Sequence, residues 1–235
     1  MILLALPAQA QVQCRLALAL ALDVSSSVDA REYDLQRLGL AAALNEPEIR
    51  QAILAGQQGY VALAVYEWSG FYQNKLHLDW TAMRNDADID RAVVALGAMT
   101  RSHDDFPTAV GQALGYGAEL MRRAPECERR VIDISGDGVN NYGYGPAAAY
   151  RNFAFDGVTV NGLVILGGPE NVLEFYYTQV VRGPSAFVEV ANGFNDFQAA
   201  MTRKLFREIN EVVLGNITPA GARPRPGTEM RLHGG

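Results

Sequence analysis

The sequence predicts an α/β fold. The sheet is doubly wound, mostly parallel, six-stranded and Rossmann-like, with one antiparallel edge strand and helices on both faces. Three observations predict it. Apolar runs of strand length alternate with helical segments almost throughout the 235 residues, the pattern of parallel β-α-β units. The first run, LALALAL at 16–22, is unbroken, as in a strand buried on both faces. The runs at 60–68 and 75–80 are joined by a link too short for a crossover helix, which makes them an antiparallel edge hairpin. With 49% apolar residues, the chain can bury a full core, and its length suits one domain.

The run at 16–22 stops at Asp23, and Ser25, Ser26 and Ser27 follow. Asp29 with Glu32 reads as a capping box opening a helix whose apolar face is Tyr33, Leu38, Ala41 and Ala42. Asn45 and Pro47 interrupt it, a short helical turn follows, and Gly56 and Gly59 close the unit. After the hairpin, Asn85 and Asp86 lead into a helix at 86–98 with Ile89, Val93, Val94 and Leu96 apolar. A polar loop runs to Asp105. Pro107 suits the first position of the next helix, and Val110, Ala113, Leu114, Gly117 and Met121 carry that helix to about Arg123. Thr108 stands at its start. RRVIDIS at 129–135 is a strand, followed by Gly136-Asp137-Gly138 and a loop in which Asn140 and Asn141 supply turn conformations. Pro146 starts a helix ending near Gly157. A strand at 158–166, a short helix, a last strand at 185–191 and a helix at 195–214 complete the order. The last helix carries Phe197, Met201, Leu205, Ile209 and Val213 in four-residue steps.

The formal net charge of −6 and the absence of a basic cluster argue against nucleic acid and anionic lipid as partners. No apolar run reaches the length of a transmembrane segment. Residues 1–14, MILLALPAQAQVQC, read as a signal-peptide remnant or a hydrophobic arm, with a cleavage pattern ending at Ala10. Residues 215–235 are Pro/Gly-rich and read as a disordered tail. Cys14 and Cys127 each lie just before a parallel strand. If those strands are neighbours, a bridge joins them at one sheet edge and agrees with an exported protein; otherwise both are half-buried thiols.

If the strands at 16–22 and 129–135 are adjacent, Asp23 and Asp137 flank one crevice, outside the carboxyl ends where such sheets bind ligands. Asp23, Ser25, Ser27, Thr108 and Asp137 then offer oxygen ligands alone, suited to Mg²⁺ with Mn²⁺ as an alternative, and leave about one octahedral position free. Taken singly, such Asp and Ser residues equally well cap helices and make turns. His103, Asp104 and Asp105 read as a solvated loop beside Thr108. Trp68 is either an exposed contact or a core edge, and His77 and His233 have no partners for a transition metal.

With DVSSS at 23–27, Thr108 in FPTAVGQAL and Asp137 in ISGDG, the chain resembles a von Willebrand factor type A domain over about residues 15–214. ALDVSSSVD, YEWSG, VIDISGDGVNN, VNGL and RKLFREI are similar, more closely, to a family of uncharacterised exported bacterial proteins of this domain type. The resemblance implies a metal-ion-dependent adhesion site. Ser25, Ser27 and Thr108 contact the metal, and Asp23 and Asp137 bind it directly or through water. The open position takes an Asp or Glu carboxylate from a partner protein. The implied function is a periplasmic or secreted binding module and not an enzyme. Two alternatives stand beside it: a hydrolase using the same cation, and a scaffold whose metal site is vestigial. No G-x-S-x-G, P-loop or H-E-x-x-H occurs, and no general base is built into the constellation apart from the ligands themselves. Oligomeric state is left open by the sequence.

Overall fold

The computed structural model describes residues 13–55 and 59–214, with side chains as far as Asn210. Most of the N-terminal arm with its cleavage pattern, Gly56, and the tail at 215–235 lie outside the described residues, as does the Val213 side chain. The elements are β1 (Gln13–Asp23), α1 (Ala30–Asn45), α2 (Pro47–Leu54), β2 (Gly59–Trp68), β3 (Asn74–Met83), α3 (Asp86–Gly97), α4 (Val110–Met121), β4 (Cys127–Gly136), α5 (Pro146–Asn152), β5 (Val158–Ile165), α6 (Val172–Phe175), β6 (Val188–Ala191) and α7 (Phe197–Leu214). α6 runs directly into a π-helical turn, Tyr176–Val180. The six-stranded sheet has the order β3-β2-β1-β4-β5-β6. Only β3 is antiparallel, paired with β2 at one edge. The expected fold class is the observed one.

β1 decides both faces, because alternate side chains of a strand point to opposite sides. Leu16, Leu18, Leu20 and Leu22 enter one core with Leu40 of α1, Ile53 of α2, Ile89 of α3 and Leu205 of α7. Each such leucine contributes about 1.5–3 kcal/mol by burial. Ala17, Ala19 and Ala21 enter the other core with Leu114 of α4 and Ala149 of α5. Small side chains there leave room for the fully buried Tyr66 and Trp68 of the neighbouring strand.

Several local expectations are corrected. Leu38 and Val94 are exposed, at 50% and 71%, so neither belongs to its helix's core face. α1 instead buries Gln36, whose Nε2 donates to the Asp23 carbonyl at 3.0 Å. α5 stops at Asn152 because Phe153 is extended, φ −119° and ψ 157°. β6 starts at Val188, after Ser185 turns into the left-handed region at φ 56°, which a strand does not tolerate.

From β1 the chain moves to β2 and β3 on one side, then returns to β4 on the other. That reversal opens a crevice between the C-terminal ends of β1 and β4. At the opposite end, the register sets Cys14 against Cys127. They form a disulfide, with Cα atoms 4.4 Å apart across 113 residues of sequence. The bridge and the crevice lie at the two ends of the same strand pair, about 30 Å apart at about 3.3 Å per residue.

Candidate metal centre

The β1 end is built by local hydrogen bonds. Val24 N–H donates to the Trp68 carbonyl at 2.9 Å. Ser25 N–H then turns back to Asp23 Oδ1 at 2.8 Å, and Val28 N–H donates to the Ser25 carbonyl at 3.0 Å. The expected capping box forms: Glu32 N–H donates to Asp29 Oδ1 at 2.7 Å, and Asp29 N–H to Glu32 Oε2 at 2.8 Å. The D-x-S-x-S turn is therefore fixed between a strand end and a capped helix.

Thr108 reaches the site from a loop, not from a helix start. Its N–H donates to Asn141 Oδ1 and its carbonyl accepts from Asn141 N–H, both at 2.9 Å. Ala109 N–H donates to the Ser69 carbonyl at 2.8 Å. These long-range bonds override the preference of Pro107 for a first helical turn, and α4 begins at Val110. Asn140 Oδ1 takes Gly111 N–H at 3.0 Å, one of the donors that a helix start leaves open. Both asparagines thus brace the Thr108 loop, a role the sequence did not announce.

All five expected side chains meet. Ser27 Oγ donates to Asp137 Oδ1 at 2.8 Å. The Ser25 and Ser27 hydroxyls are 3.2 Å apart, and Thr108 Oγ1 donates to Ser25 Oγ at 3.2 Å. Asp23, Ser25, Thr108 and Asp137 are buried, while Ser27 is exposed and marks the open side.

A second tier holds the loops. Arg101 Nη2 donates to the carbonyls of Val24 and Ser25 at 3.1 and 3.0 Å, and Ser26 N–H donates to the Phe106 carbonyl at 2.8 Å. Glu67 is fully buried and accepts from Tyr33 Oη at 2.7 Å and Ser102 N–H at 2.9 Å. His77 Nε2 lies 3.0 Å from Glu67 Oε2. Burial alone would raise the Glu67 pKa, but bonds from His77, Ser102 and Tyr33 outweigh it and hold the carboxyl below its ordinary value. Trp68 is fully buried, so it is a core residue. Asp104 and Asp105 are exposed, as a solvated loop requires, and His103 is half-buried with Nδ1 3.0 Å from Ser102 Oγ.

The electrostatics are those of an unbalanced pair. Burial, and then the Asp137 carboxylate, push Asp23 up to about 7. Burial also raises Asp137. Asp23 Oδ2 is buried without a hydrogen-bond partner, a costly state for a carboxylate. Arg101 acts on Asp23, but its Nη2 is engaged by backbone. Two carboxylates and three hydroxyls suit a hard divalent cation of the Mg²⁺ type. Among the described residues no group of three or more His, Cys, Asp or Glu side chains is placed to hold a metal ion; this set has two carboxylates, and its other oxygens are hydroxyls.

Sheet order and the antiparallel edge strand make a Rossmann-like fold similar to that of von Willebrand factor type A domains. Solved structures agree at the level of fold. Proximal thread matrix protein 1 from the mussel byssus, described with a zinc occupied MIDAS motif, is 15% identical with a TM-score of 0.61, covering 86% of this chain and 49% of that one. A von Willebrand factor type A protein from Catenulispora acidiphila is 15% identical at TM-score 0.58, covering 85% of this chain and 43% of that one. The pilus adhesin SpaC of Lactobacillus rhamnosus GG, in its open conformation, is 14% identical at TM-score 0.60, covering 86% and 31%. The chain therefore spans half or less of the length of these proteins. No curated protein matches it. The chain belongs to the family described as "Protein of unknown function (DUF1194)", whose model matches residues 13–213.

Proposed function

We propose that this chain is a secreted or periplasmic module that binds a partner protein through a divalent cation, Mg²⁺ or Mn²⁺, and that it is not an enzyme. Ser25, Ser27 and Thr108 hold the ion directly, and Asp23 and Asp137 directly or through water. The cation would supply one open Lewis-acidic position, fit for an Asp or Glu carboxylate. The chain's own part is to keep five oxygens clustered, closed off on the Asp23 side and open at Ser27.

The observation that carries the reading is the buried Asp23–Asp137 pair, held by hydroxyls and with Asp23 Oδ2 unpartnered. Such a pair is unfavourable alone and favourable around a dication. The zinc-occupied MIDAS motif of the mussel protein and the adhesin description of SpaC support the same class of site. The disulfide supports an oxidising compartment. A hydrolase would need a base close to the metal, and the carboxylates of the cluster are all taken as ligands.

Binding to immobilised peptides bearing a single Asp or Glu tests the reading, with Mg²⁺ or with EDTA. Retention in Mg²⁺, lost in EDTA and absent for the matching Asn and Gln peptides, is the expected result. Retention indifferent to EDTA, or equal for the amides, contradicts it.

A further inference from the structure

The Tyr176 side chain is fully buried, yet its hydroxyl has no hydrogen-bond partner. Buried phenols are normally paired, and an unpaired one costs about 1–3 kcal/mol. Phenylalanine would fill the same space without that cost. Beside it lies another unpartnered buried oxygen, Asp23 Oδ2. A Cβ added at Gly136 would sit 2.8 Å from Asp23 Oδ2 and 2.8 Å from Tyr176 Oη. Both oxygens crowd one point at the end of β4, and only glycine leaves it clear. The ring is accommodated in the same way on β5, where a Cβ at Gly162 would stand 2.7 Å from Tyr176 Cδ1. Glycine weakens a strand interior and often marks close approach of another group. Here two of them, on adjacent paired strands, let one ring lie against the sheet and reach the end of β1.

The backbone aims the ring. Tyr176 opens the π-helical turn, and Val181 N–H donates to its carbonyl at 3.0 Å. Such turns recur at functional sites. The hydroxyl is a donor without an acceptor, next to an acceptor without a donor.

Resting on the metal-binding reading above, we propose that Tyr176 is a positioning residue of the metal centre. Its hydroxyl donates to Oδ2 of ionised Asp23, directly or through one water. Ser25 N–H already holds Oδ1, so the two donors together fix the carboxylate's orientation. Outer-shell donors of this kind change metal affinity by about 10–100-fold when removed.

Calorimetric titration of Mn²⁺ into the full chain and its Tyr176→Phe variant tests the role. The variant loses about 10–100-fold in affinity, while its metal-free melting midpoint stays level or rises. Metal addition perturbs the near-ultraviolet tyrosine spectrum of the wild type, and Tyr176→Phe abolishes that signal. Tyr150→Phe is the control, because the Tyr150 hydroxyl donates to the Val180 carbonyl instead; it lowers the midpoint and leaves Mn²⁺ affinity unchanged. Equal affinity in Tyr176→Phe overturns the role of Tyr176 and leaves the metal site standing. A metal-free midpoint that falls along with affinity makes Tyr176 structural and overturns it too. No Mn²⁺ binding by the wild type removes the metal reading and this inference together.

Discussion

Among the described residues, two pairs of buried carboxylates contrast: one closes on a buried lysine and the other meets hydroxyls. Against α7, Lys204 Nζ lies 3.2 Å from Asp133 Oδ1 and 2.7 Å from Glu208 Oε1, with all three side chains fully buried. Asn161 Nδ2 donates to the same Glu208 oxygen at 2.7 Å, and Asn161 Oδ1 accepts Phe187 N–H at 3.1 Å. Burial alone would lower the Lys204 pKa; Asp133 and Glu208 outweigh it and raise it. At the strand ends, Asp23 and Asp137 meet hydroxyls instead of a lysine; burial raises both carboxyls, as it raises Asp133 to about 7 beside Lys204, so the partner and not the shift is what differs. The difference separates a fastening from a site. A pair that closes on its own lysine ties α7 to β4 and β5. A pair that meets hydroxyls is the one proposed to take an ion from outside.

The disulfide sets the baseline for that comparison. Reducing it lowers unfolding stability by up to about 4–5 kcal/mol on the chain-entropy account, read by urea denaturation. Mg²⁺ affinity is unchanged, because the bridge lies at the far end of β1 and β4. Lys204→Met comes next, costing about 3–5 kcal/mol by leaving two buried carboxylates unpaired. Mg²⁺ does not rescue it; rescue would mean that the two pairs do not differ in kind. Asn141→Ala leaves Thr108 N–H without its side-chain acceptor, at about 1–3 kcal/mol. Unlike Lys204→Met, it also weakens Mg²⁺ binding, which titration of the two variants side by side will show.

The smallest effect is one of pH. Glu67 ionises below its ordinary value because the folded state favours its charged form. Its stabilisation is present above the unfolded glutamate pKa and is lost as pH falls through the lower folded value. Melting midpoints between pH 6 and 3 show this loss in the wild type, and Glu67→Gln flattens the curve.

What was legible in the sequence was local or strongly periodic. The Leu/Ala alternation of β1, the Asp29–Glu32 capping box and the short link before β3 each rest on neighbouring residues, and each formed as expected. The disulfide needed one further fact, that β1 and β4 are neighbours. The five clustered oxygen-bearing side chains were legible as residue types in order, but their bracing was not. Asn141 looked like a turn residue because its partner, Thr108, is far away in sequence. Gln36 carried no signal, because its acceptor is the Asp23 backbone. Lys204 and Glu208 have the spacing of an exposed helical pair, and their burial follows from Asp133. A carboxylate inside the apolar strand VIDIS was the signal that could have found them. Tyr176 left a fainter one: Gly162, an unexplained glycine in the strand VNGL.

The central claim, that the Asp23–Asp137 pair is completed by a divalent cation while the Asp133–Lys204–Glu208 group needs none, is tested most directly by urea unfolding. Wild type and Asp23→Asn are compared, each with and without Mg²⁺. A ligand at a hundred times its dissociation constant stabilises by about 2.7 kcal/mol. The wild type gains stability of that order, whereas Asp23→Asn gains none and is at least as stable as the metal-free wild type. No gain in the wild type, or an equal gain in both, would contradict the account.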